Sequence, residues 1–168
     1  RDQKDAEQSS LIAHYLELVK PIASEEIGQI TTDVKKDPPA GSTNGESQLG
    51  DLIADAQLAY DSTVTNGKTP VIAFMNPGGI RTDTNFAQTN PEYPNDVPGD
   101  VTYEEAFSVQ PFNNYLVSMD LTGQDIYDIL AQQVTGTNGA SRKILQISQG
   151  FTYKLVPGAG AEDGSVML

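Results

Sequence analysis

Asn76, Gly78, Gly79 and Arg81 fall inside one short segment, FMNPGGIR, at residues 74–81. An apolar run, Val71 to Met75, delivers the chain to this turn. Glycines lack a Cβ, so backbone N–H groups can approach a ligand closely and positive φ is open to them. Asn76 offers a donor and an acceptor. Arg81 offers a planar fork suited to carboxylate, phosphate or an aromatic face. The same residues also fit an ordinary strand-ending turn whose arginine pairs with a nearby acid. Their spacing matches neither the P-loop nor the dinucleotide fingerprint. A second candidate is Phe112 in VQPFNN, residues 109–114. Its ring can stack on a base, worth about 1–3 kcal/mol, or it can pack into the core.

Other chemistry lacks the residues it needs. His14 is the only histidine, and there is no cysteine. A His-rich metal centre, thiolate ligands, disulfides and a Cys nucleophile are therefore excluded. The 23 acids could in principle build a carboxylate site, but no segment carries the D-x-[DN]-x-[DN]-G calcium pattern. Asp51 and Asp55 lie one helical turn apart, and a solvated helix face accounts for them equally well. With no defensible nucleophile–base pair, no catalytic or metal-binding residue is assigned, and this piece alone is expected to be inactive.

The net charge is −13 and the pI near 4.2, which opposes binding to DNA, RNA or anionic membranes. A small phosphorylated ligand stays possible, because a local arginine can outweigh a distant, screened field. No apolar run reaches the ~20 residues that span a bilayer. The start at Arg1, without Met or an apolar leader, reads as a processed or excised piece.

These residues need elements to hold them. Apolar spacing predicts a long first helix over residues 3–27, bent at Pro21, then a short strand from Ile30 to Val34. KKDPPAGSTNG, residues 35–45, reads as a loop. Ser47 caps a predicted helix over residues 46–60 with an apolar face of Leu49, Leu52, Ile53, Ala56 and Ala59. Val71–Met75 reads as a strand buried on both faces. Residues 82–100 read as a long irregular excursion. Thr102 with Glu105, and Thr122 with Asp125, predict two capped helices, the second burying Ile126, Ile129 and Leu130. Asn114–Leu121 alternates as a strand, and ILQISQGFTYKLV reads as a hairpin turning near residues 148–150. The expected class is α+β (mixed α/β), a single domain over residues 1–168 with one mixed sheet flanked by helices.

Five segments, ESQLGDLIADA, NPGGIR, VTYEEAFSVQPFNN, LTGQDIYDIL and ILQISQGFTY, occur in the order and spacing of a known family. Over residues 28–156 the chain resembles the C-terminal, substrate-binding domain of the 5′-nucleotidases. That resemblance implies that Asn76 and Arg81 contact a nucleotide, that Gly78 and Gly79 shape the turn, and that Phe112 forms one side of a base clamp. It also implies a separate N-terminal metallophosphoesterase domain, absent here, which holds two divalent metals and hydrolyses nucleoside 5′-monophosphates. The implied setting is secreted or cell-wall associated in a bacterium, with nucleotide or nucleoside as partner and no cofactor in this piece. Related architectures act on 2′,3′-cyclic nucleotides or UDP-sugars, and a non-catalytic surface module is a further alternative. Three departures stand out. Thr43 replaces an expected substrate-binding arginine. Asn113 and Asn114 stand where the family often has glycines. The second stacking aromatic, with its ribose-contacting aspartate, is not found before Leu168.

Overall fold

The computed structural model describes residues 4–42, 45–60, 67–134, 143–156 and 165–167. Thr43 and most of the tail from residue 157 lie outside the described residues. The chain divides into two compact units, Arg1–Val34 with Thr84–Pro111, and Lys35–Asp83 with Phe112–Leu168.

The first unit opens with α1, Ala6–Ala23, capped by Asp5, whose side chain accepts from the Gln8 N–H at 2.9 Å. Pro21 sits inside the helix, which ends at Ala23 and so stops short of the expected residue 27. Leu11, Ile12, Tyr15, Leu16, Leu18 and Val19 are all exposed, leaving Ala23 as the one buried residue of the helix. β1, Glu26–Gln29, pairs antiparallel with β3, Asp100–Thr102, and β3 runs straight into α3, Tyr103–Val109. The predicted strand at Ile30–Val34 is thus displaced to Glu26–Gln29. Val34 keeps only an isolated bridge to Thr84. The expected capping box is present: Glu105 N–H donates to the Thr102 hydroxyl, and the Thr102 N–H donates to the Glu105 carboxylate at 2.8 Å.

The excursion that crosses this unit is irregular, as expected, and polar side chains hold it. Tyr93 is buried, and its hydroxyl donates to Glu104 at 2.7 Å, the same carboxylate oxygen that accepts from Asn90 at 3.2 Å. Asp100 accepts from Gln29 at 3.1 Å and from the Val97 N–H at 3.3 Å. Gly99 closes the loop at φ +100°, where a Cβ would stand 3.0 Å from the Ile30 carbonyl. Only glycine meets both conditions without strain.

The second unit carries α2 (Gln48–Ala59), β2 (Phe74–Met75), α4 (Gly123–Gln132), β4 (Gln146–Ile147), β5 (Lys154–Val156) and β6 (Ser165–Met167). Ser47 caps α2 and accepts from the Gly50 N–H at 3.1 Å. The buried face of α2 is Leu49, Gly50 and Ala54, so the expected face is rotated and Leu52 is exposed. The reason is Gln146. A Cβ on Gly50 would lie 2.3 Å from its side chain, so the helix meets β4 at the glycine. Thr122 and Asp125 form the second expected capping box, and Leu130 is fully buried with Ile126 and Ile129 partly so.

Helices and strands mix as the α+β reading requires, while the described strands form three two-stranded antiparallel ladders, β1–β3, β2–β4 and β5–β6. Three strand expectations are corrected. The 144–156 stretch is no hairpin, because β4 pairs with β2 and β5 pairs with β6. Val71 is exposed, so only Met75 of the VIAFM run is fully buried. Asn114–Leu121 is not a strand, and Tyr115, Val117 and Met119 are exposed. Apolar alternation creates a strand only where a partner edge takes up its backbone groups.

Gln146 is buried with its amide fully used: Oε1 accepts from the Ser47 N–H at 2.6 Å, and Nε2 donates to the carbonyls of Ile144 at 2.8 Å and Gly45 at 3.1 Å. Gln146→Leu strands these partners, and a buried donor or acceptor left unmade costs about 1–3 kcal/mol. Chemical denaturation of the variant is expected to show a loss of about 2–4 kcal/mol.

Candidate functional site

β2 ends at Met75, and the chain turns at once through one 3₁₀ turn, Pro77–Gly79. Pro77 pre-sets the turn's first φ, and Gly79 and Ile80 donate their N–H groups to the carbonyls of Asn76 and Pro77, each at 3.1 Å. Neither Gly78 nor Gly79 has positive φ, so conformational freedom is not why they are glycines. At Gly78 an added Cβ would meet only the Asn76 amide at 3.5 Å, an ordinary contact. At Gly79 it would stand 2.6 Å from the Met75 methyl, closer than any real contact.

Asn76, Gly78 and Arg81 are exposed, so the turn presents an amide, a bare backbone and a guanidinium on one short stretch. The Asn76 side chain makes no capping bond. Arg81 donates from Nη1 to the Gly78 carbonyl at 3.3 Å and forms no salt bridge among the described residues. The acid two positions on, Asp83, is engaged elsewhere. It meets Lys35 Nζ at 3.4 Å and accepts from the Lys36 N–H at 2.8 Å. An arginine simply neutralised by its neighbour is therefore not what the structure contains. Phe112 is 45% exposed, and no other ring lies against it among the described residues. Among the described residues no hydrogen bond or ring contact joins it to Arg81. The turn residues are brought together, and Phe112 stands in the same unit as a solvent-facing ring.

A depression of about 380 Å³ in this unit lies beside Lys35, Pro38, Pro39, Gln48 and Asp83, and none of the five sequence-predicted residues lines it. Among the described residues no group of three or more His, Cys, Asp or Glu is placed to hold a metal. His14 lies on α1 with its ring edge-on to Tyr15 at 5.7 Å.

Asp51 departs from the solvated-face reading. One of its carboxylate oxygens is buried without a hydrogen-bond partner among the described residues. Burial, then the charges of Glu46 and Asp55, push its pKa up to about 6, although the Ile147 N–H donates to the carboxylate. Two residues that sequence reasoning did not single out lie beside the turn: Met75, whose methyl stands against Gly79, and Gln57, which donates to Met75 Sδ at 3.4 Å. Met75 read only as the end of a strand, and Gln57 as one more polar residue of a helix.

Comparison with known proteins gives the chain a family. The family model for the 5′-nucleotidase, C-terminal domain, matches residues 26–166. The chain belongs to this family. "Endonuclease YhcR" of Bacillus subtilis is 28% identical over 151 residues, 90% of this chain and 10% of that protein. "Cell wall protein Lmo0130" of Listeria monocytogenes is 33% identical over 107 residues, 64% of this chain and 13% of that one. Among solved structures, the 5′-nucleotidase precursor of Thermus thermophilus superposes with a TM-score of 0.61 at 26% identity, covering 88% of this chain and 25% of the other. The chain thus spans about a tenth of these curated relatives and a quarter of the solved one. No helix among the described residues is long and apolar enough to cross a membrane.

Within this 5′-nucleotidase C-terminal domain, the Asp51 carboxyl carries a pH signature. Its folded pKa of about 6 lies above the ordinary 3.8, so the folded chain holds the proton more tightly than the unfolded one. The stability this carboxyl contributes is therefore fully present below pH ~4 and is lost as pH rises through ~6, on the order of 1 kcal/mol after allowance for solvent screening. Denaturation at pH 4.5 and pH 7.5 is expected to show Asp51→Asn flattening this difference and gaining stability mainly at the higher pH.

Proposed function

We propose that residues 1–168 act as the nucleotide-recognition domain of a secreted or cell-wall-associated, metal-dependent 5′-nucleotidase that converts nucleoside 5′-monophosphates to nucleoside and phosphate. The observation that carries this reading is the turn at residues 76–81: an exposed guanidinium and an exposed amide, neither held by an acid, in a chain whose net charge is −13. A cation left unneutralised among so many acids is suited to an anionic or electron-rich ligand. In this reading Arg81 and Asn76 orient the nucleotide, Gly78 and Gly79 keep the turn low, and the Phe112 face stacks on the base. Neither member of a nucleophile–base pair is assigned to the chain, so its contribution to rate is to hold the remote part of the substrate in register.

The hydrolysis belongs, in this proposal, to an N-terminal metallophosphoesterase domain with two divalent metals. The relatives' much greater length supports further domains. So does the half-exposed apolar face of α1, which lies before the family match and is the kind of surface that packs on another domain. The relative named as a cell wall protein supports the extracellular setting. It also favours a second reading, a surface module without activity. The relative named as an endonuclease does not change the ligand class proposed for this chain, because the −13 charge repels a polyanion's phosphates.

The test is steady-state kinetics of the full-length protein with AMP and a divalent metal. Arg81→Ala and Phe112→Ala are each expected to raise KM about tenfold or more with a smaller change in kcat, the effect of removing one charge-assisted hydrogen bond or one stacked ring. Kinetics untouched by both substitutions would remove these residues from the site. A full-length protein that neither hydrolyses nor binds AMP or adenosine in calorimetry would establish the surface-module reading.

A further inference from the structure

We propose that Met75, clamped by Gln57 of α2, is a positioning residue that sets the height of the Gly78–Gly79 turn and through it the direction of the Arg81 guanidinium. The inference rests on the nucleotide-recognition reading and names what that site depends on beneath its surface.

The geometry is a short relay of touching groups. Gln57 Nε2 donates to Met75 Sδ at 3.4 Å, tying the thioether to the helix. Met75 is 5% exposed, and its backbone is fixed by the antiparallel pairing of Met75 with Gln146. Its methyl occupies the space a Gly79 Cβ would need, 2.6 Å from that position. The turn therefore rests on the methyl. At the far end of the turn, the Gly78 carbonyl accepts from Arg81 Nη1 at 3.3 Å, so a shift of the turn moves the guanidinium's anchor.

The two glycines thus have different physical reasons. Gly78 has room for a Cβ as far as the protein is concerned, with only the Asn76 amide nearby. At Gly79 a Cβ would have to displace the end of the Met75 side chain, which its burial and the Gln57 bond oppose. A thioether suits this post because methionine has no branching and its soft sulfur accepts a weak hydrogen bond. Leucine would fill the volume yet give Gln57 nothing to bond.

The test is a rescue series in the full-length protein, read as KM and kcat for AMP together with the thermal midpoint. Gly79→Ala is expected to raise KM about two- to fivefold with a smaller effect on kcat, because the flexible end of Met75 takes up part of the clash and the turn the rest. Met75→Ala combined with Gly79→Ala removes the clash and is expected to recover most of the KM. Gln57→Leu, which frees the thioether without touching the turn, is expected to raise KM by about two- to fivefold. An unchanged KM in Gly79→Ala, or a double variant no better than Gly79→Ala, would overturn the proposal. If Gly79→Ala does not fold, Gln57→Leu and Met75→Leu decide it, because a wild-type KM in both is incompatible with a supporting role. Arg81→Ala serves as the reference. If it leaves KM unaltered, the nucleotide reading fails. If it raises KM while the rescue series does nothing, only the positioning role fails.

Discussion

A buried amide tolerates no unmade hydrogen bond, and the second unit is arranged around that requirement at Gln146. Its side chain takes the Ser47 N–H and gives to two carbonyls, so the N-terminus of α2 and the entry to β4 are bonded to one group. Gly50 must be glycine for the helix to come that close. Beside it, Ser148 is 1% exposed and receives the Ala73 N–H at 2.9 Å, while its own N–H returns to the Ala73 carbonyl. Register between β4 and β2 follows, and with it the place where Met75 stands and where the turn to Arg81 begins. The solvent-exposed turn is thereby referenced to two of the least accessible polar side chains among the described residues.

The first unit solves a different problem by similar means. Residues 85–99 contribute little apolar surface beyond Tyr93, so the excursion is closed by carboxylates that accept backbone and side-chain N–H groups. Glu104, in the first turn of α3, is the centre: burial of Tyr93, then its hydrogen bond to Glu104 and that carboxylate's charge, push the tyrosine's pKa up to about 12. Ordering a long loop costs backbone entropy, and several satisfied, partly buried hydrogen bonds offset it where no core is available.

What could be read from the sequence divides along sequence separation. The caps at Ser47, Thr102 and Thr122 were legible because each is a contact between residues three apart, set by side-chain type alone. The α+β class and the irregular excursion followed from composition and periodicity. Strand partners were not legible. The β2–β4 ladder joins residues more than seventy apart, so the local pattern of ILQISQGFTYKLV suggested a hairpin that the real partners, Phe74 and Met75, pre-empt. The face of α2 failed for the same reason, since hydrophobicity favours Leu52 and cannot register that Gly50 is the approach point for a distant glutamine. At the turn, Asn76 and Arg81 could be picked out as candidates because their chemistry is in their type. Gln57 and Met75 could not, because their part is a contact that exists only after folding.

The position of Arg81 beside so many acids bears on how an anion-repelling chain could still hold an anionic ligand. Asp83 is close in sequence, and a free carboxylate there would be the natural partner of the guanidinium. Instead Asp83 is met by Lys35 and by the Lys36 backbone N–H, which draw its charge toward the 35–40 loop. Arg81 is left with a carbonyl, a neutral acceptor that orients the fork without cancelling its charge. Coulomb attraction between exposed groups falls away within about a Debye length of ~8 Å in physiological salt, so the remaining acids act on a ligand at Arg81 only weakly. Lys35 and the Lys36 N–H therefore occupy the carboxylate nearest to Arg81 in sequence.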